Sequence, residues 1–141
     1  MAGTIVADTL QAASTSTLVL KNGVANTPPT IQDSAGTQIG TFCRAWVNFN
    51  GTGTVAIRAS FNVSSITDNG TGNYTVNFTT AMPDGNYSIA QTLFAQASSN
   101  DGGVAVIAWG TTPSTTSFNM VTDQRSVGEY DPTIVCFSVF R

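Results

Sequence analysis

A chain of 141 residues without histidine, with five Lys or Arg, eight Asp or Glu and a net charge of −3, leaves little catalytic chemistry open. It lacks the commonest general base and the commonest metal ligand, and its two Cys are too few to make a zinc site. Charged residues make up 9% where an average domain has about 25%, and one Lys with four scattered Arg offers phosphates no basic stripe, which excludes a nucleic-acid surface.

The chain begins Met1-Ala2-Gly3-Thr4-Ile5-Val6, without the basic and long apolar stretches of a secretion signal. No run reaches the roughly 20 apolar residues that cross a bilayer. Synthesis in a cytoplasm without membrane insertion is therefore expected. Residues 1–40 hold two short apolar pieces, Thr4 to Ala7 and Thr17 to Leu20, then a turn at Lys21-Asn22-Gly23 and the extended Thr27-Pro28-Pro29-Thr30. No aromatic residue occurs before Phe42. Too sparse to bury a core of its own, this segment reads as an attachment arm, followed by one domain over 41–141.

From Phe42 onward, small polar and β-branched residues alternate, the pattern of strands with one dry and one wet face. Phe42 to Phe49 places Cys43, Ala45, Val47 and Phe49 on the core face, and Phe42, Arg44, Trp46 and Asn48 on the other. Asn50-Gly51 signals a hairpin into Thr54 to Phe61. Val63 and Ile66 start a strand ending in the turn Asp68 to Gly72, and Asn73 to Thr80 follows with Tyr74, Val76 and Phe78 inward. Met82-Pro83-Asp84-Gly85-Asn86 is a tight reversal. Strands are expected over Tyr87 to Ala97, Val104 to Trp109, Thr115 to Thr122 and Thr133 to Phe140, with Asp123 to Pro132 as the longest loop. Seven or eight short strands with regular turns predict an all-β, antiparallel, jelly-roll-like β-sandwich.

Several residues invite a functional reading that the surrounding pattern weakens. Six Asn-x-Ser/Thr sites, from Asn50 to Asn86, reflect composition more than glycosylation in a chain without a secretory route. Cys43 and Cys136 would meet only if the first and last strands of the domain were neighbours, and a cytoplasm favours free thiols. Asp68 to Asn73 is rich in oxygen ligands but lacks the ligand spacing and late Glu of a calcium loop, so a plain hairpin is expected. Asp123, Glu129 and Asp131 sit in the polar stretch without a motif that would hold a glycosidase pair, and read as solvated charges. Ser has no His partner, which excludes an ordinary triad. No cofactor is implied.

The block Ala45-Trp46-Val47-Asn48-Phe49-Asn50-Gly51-Thr52-Gly53, followed by Ser64 to Phe78 and Ala81-Met82-Pro83-Asp84, resembles a module of bacteriophage tail fibre and other virion proteins, notably of marine and cyanobacterial phages. The match covers about residues 44–90, and residues 91–141 depart from it. The resemblance implies a non-enzymatic virion surface protein that is made in the host bacterial cytoplasm and contributes no catalytic residues. It also implies a homotrimer, as do apolar residues on both faces of strands such as Phe42 to Phe49. Trp46 and Phe42 are then candidate subunit-interface residues. Receptor contact, with host-surface glycans as the candidate target, falls to loops of the second half, through Asn100, Asp101, Trp109, Gln124 and Arg125. The arm would bind other virion proteins. A short fibre or fibre tip is one role implied, and a capsid decoration or head-fibre protein the other.

Overall fold

The computed structural model describes residue 20 and residues 29–94, 103–125 and 127–141. Among these, every regular element is a strand. In chain order they are β1 (Ile31–Gln32), β2 (Gln38–Gly40), β3 (Cys43–Asn50), β4 (Ala56–Phe61), β5 (Val63–Gly70), β6 (Asn73–Phe78), β7 (Ser88–Leu93), β8 (Gly103–Ile107), β9 (Ser117–Gln124), β10 (Gly128–Glu129) and β11 (Val135–Phe140).

All pairings are antiparallel. One sheet runs β4-β3-β11-β7. In the other, β9 is central. It pairs with β6 over Ser117–Val121 and with β10 over Asp123–Gln124 along one edge, and with β8 along the other. That sheet therefore reads β8-β9-β6-β5, with β10 continuing the row beyond β6. The jelly-roll path expected from the sequence would pass successive strands between sheets, whereas β3–β4, β5–β6 and β8–β9 are hairpins within one sheet.

The two sheets share one apolar core. Alternation turns Ala45, Val47 and Phe49 of β3 inward, and Val135, Phe137 and Val139 of β11. The other sheet supplies Tyr74, Val76 and Phe78 of β6, with Phe118 and Met120 of β9. Aromatic rings bridge the layers: Phe118 meets Phe137 edge-on at 5.7 Å, and Phe49 meets Tyr74 at 5.3 Å. Such offset and edge-to-face pairs contribute about 0.5–1.5 kcal/mol each beyond their buried area.

Between β4 and β5 the chain changes sheet at a single residue. Asn62 has φ +55°, a left-handed conformation that short amides tolerate better than other side chains. Its side chain holds the corner by donating to the carbonyls of Arg44 and Thr80 and accepting from Thr80 N–H at 2.7 Å.

Three short strands lie where the pattern predicted none. β1 and β2 pair as a hairpin within the expected arm, exposed from Thr30 to Ile39. Residues 1–19 and 21–28 of that arm lie outside the described residues. β10 divides the expected Asp123–Pro132 loop, and Asp123 and Gln124 belong to β9. Strand β9 runs on there because β8 and β10 pair with it and Thr122 ties it to the β5–β6 turn and to Tyr130 after β10. The Thr122 N–H donates to Gly72 O at 2.7 Å and its hydroxyl to Tyr130 O at 2.6 Å.

Candidate functional site

The face of β3 turned away from the core carries Trp46, 39% exposed, directly opposite Phe61 of β4, which is 54% exposed. Beyond Trp46 in the same row come Ser138 and Ala90, so small side chains leave the indole standing proud. Phe42, just before β3, is also 39% exposed. Trp46 and Phe61 are cross-strand neighbours on a sheet face that the described residues leave open, an arrangement suited to burial against a partner. Phe61 was not among the residues singled out in sequence. Only the register, with its shift between Asn48 and Phe49, brings it beside Trp46. Arg58 spans that shift, donating to Thr133 O at 2.6 Å and to Asn48 Oδ1 at 3.3 Å.

The residues expected to meet a receptor do not form one cluster. Trp109 follows β8 in a tight turn closed by Thr111 N–H to Ala108 O at 3.1 Å, with Gly110 at φ +76°. The third position of a type II turn requires that positive φ, and the indole before it projects into solvent, fully exposed. Gln124 pairs with Gly103 at the opposite end of β8, so Arg125 lies at the other end of the sandwich from Trp109. Arg125 is exposed. Gln124 is a correction: it is the last inward-facing residue of β9 and 1% exposed, so it meets the core and not a receptor. Asn100 and Asp101 lie outside the described residues.

Of the acids of the polar stretch, Glu129 is exposed as expected, and Asp131 differs from its reading as a solvated charge. Asp131 Oδ1 accepts from Gly72 N–H at 2.7 Å and from the Tyr74 hydroxyl at 2.6 Å. Burial, and then this carboxylate, raise the Tyr74 pKa above the ordinary phenol range. Asp131 thus fastens the β5–β6 turn to the segment that leads into β11. In the Asp68–Asn73 turn, Asp68 Oδ1 accepts from Gly70 N–H at 3.0 Å, as in a hairpin turn. Cys136 stands opposite Asn48 and Cys43 opposite Phe140 on the β3–β11 pair. At about 3.3 Å per residue the two thiols are well beyond disulfide reach, and both are free.

The ion pair between Arg141 and Asp84 is bidentate, with Nε–Oδ1 at 2.9 Å and Nη2–Oδ2 at 2.6 Å. Arg141, followed by the Asn86 N–H, holds the Asp84 carboxyl at about 2, below its usual 3.8. A depressed carboxylate pKa stabilises the fold above the unfolded value, and that contribution is lost as pH falls through the folded one. In melts between pH 5 and 2, the wild type is expected to lose its margin over Asp84→Asn below about pH 4. A constant margin down to pH 2 would show that the pair does not act on stability.

No protein-family model, curated protein or solved structure matches the chain.

Proposed function

We propose that the chain is a non-enzymatic surface protein of a bacteriophage particle, a short trimeric fibre or fibre tip. It is made in the host bacterial cytoplasm, attaches to other virion proteins through residues 1–40 and meets the host surface with its loops. The sequence resemblance supports the virion assignment. The exposed Trp46–Phe61 row supports assembly with sister subunits. The observation that carries the contact role is Trp109, a fully exposed indole at the tip of a tight turn. Nothing in the core depends on a side chain placed there, and an indole face stacks on a sugar ring without needing charge or metal.

Single contacts of this kind are weak, and repetition over three copies per trimer and many trimers per particle multiplies them. Trp109→Ala is expected to reduce adsorption of particles to host cells by about tenfold or more, with melting temperature and particle assembly unchanged. Unchanged adsorption would favour the capsid-decoration role instead.

A further inference from the structure

We propose that two copies of this chain pair edge to edge through β8, antiparallel about a two-fold axis at Ala105. This contact is separate from the three-fold assembly proposed above and does not rest on it.

The four outer strands of the sandwich are not equivalent. Strand β4 is bulged against β3 and carries Arg58, and β5 has two register shifts and carries Asp68. Bulges and charges are the devices that keep sheet edges from pairing. β7 and β8 both lack these devices, but β7 carries Ser88, Gln91 and Thr92, whereas Gly103-Val104-Ala105-Val106-Ile107 of β8 runs without shift and has four apolar residues of five. Its side chains are correspondingly open, with Val104 49%, Val106 53% and Ile107 37% exposed. Behind the edge, between β7 and β8, lies an apolar cavity of about 110 Å³ reaching Phe118 and Phe137.

The backbone indicates what would cover this edge. Ala108 N–H donates to Asn119 O, so the even positions of β8 bond β9. Thr122, opposite Ala105, turns its N–H the other way, to Gly72 O. Gly103, Ala105 and Ile107 therefore present their N–H and C=O groups at an edge that no described residue pairs, which calls for another strand. The residues of β8 complement themselves when that strand is a second β8. With Ala105 opposite its symmetry mate, Val104 faces Val106 of the second copy, and Ile107 faces Gly103, which has no side chain to obstruct it. The valines then close into an apolar row flanked by half-buried Val121 from each copy. Asp123 stays one strand back from the axis.

The test uses the full chain and light scattering from low to high micromolar concentration. Two double variants are compared with wild type: Val104→Glu with Val106→Glu, and Val104→Lys with Val106→Lys. The altered side chains lie on the outer face, so the core is untouched. Each variant alone sets like charges opposite each other and is expected to have half the wild-type mass. Mixing the two sets Glu opposite Lys and is expected to restore the wild-type mass, which misfolded variants would not do. Variants with wild-type mass would overturn the proposal, as would a mixture that stays dissociated while both variants keep a β-sheet circular dichroism spectrum.

Discussion

Phe118→Ala is expected to destabilise the fold by about 3–5 kcal/mol, the range for removing a buried aromatic ring. Phe118 is 1% exposed and sits where the two sheets meet. Its ring contacts Phe137 at 5.7 Å, Phe78 at 5.9 Å and Tyr87 at 6.3 Å, so truncation opens a void against both layers. The backbone there cannot collapse into the void, because β9 is held by β6 on one side and β8 on the other. Urea unfolding followed by circular dichroism measures the loss. A change below about 1 kcal/mol would mean that the sheets do not share this core.

Gly72→Ala is expected to cost about 3 kcal/mol, combining left-handed backbone strain with overpacking. Gly72 has φ +68°, and a Cβ there would stand 2.7 Å from Thr122 O and 2.9 Å from Tyr130 N. Both are backbone atoms of the junction between β6, β9 and β10, and neither can move without breaking the bonds of Thr122. Gly53 separates the two contributions. Its φ is +67°, but nothing lies within 4 Å of its missing Cβ. Gly53→Ala should therefore cost only about 1 kcal/mol, the strain alone. Equal losses at the two sites would show that the close packing at Gly72 contributes nothing.

These two sites differ in how readable they were. Phe118 belongs to a segment, Thr115 to Thr122, whose alternation already pointed to a strand, and its burial follows from period 2. Gly72 read only as part of a turn. Its close approach to Thr122 and Tyr130 joins residues about fifty positions apart, and no local pattern carries that information. Asp131 is the same kind of case. Beside Glu129 it looked like one more solvated acid, and only the fold brings the Tyr74 hydroxyl and the Gly72 N–H to it.

The candidate site was legible in part for the same reason. That Trp109 precedes a Gly at a strand end was visible in sequence, and a turn residue before a positive-φ glycine projects outward. That Gln124 would be buried was not, because Asp123-Gln124-Arg125 reads as polar loop. β9 continues through it because β8 and β10 pair on both sides.

Period-2 alternation and turn residues by themselves pointed to an all-β fold, to the eight longer strands of the described residues apart from the end of β9, and to which side of β3 and β6 faces inward. Those features are local, since each residue's face follows from its neighbours two positions away. Tertiary structure alone decided the strand order, the bulge that sets Phe61 beside Trp46, the separation of the two cysteines and the edge of β8 that the described residues leave unpaired. Each of these depends on which distant strand supplies the hydrogen-bonding partner, and that choice is made by the packing of the two sheets as a whole.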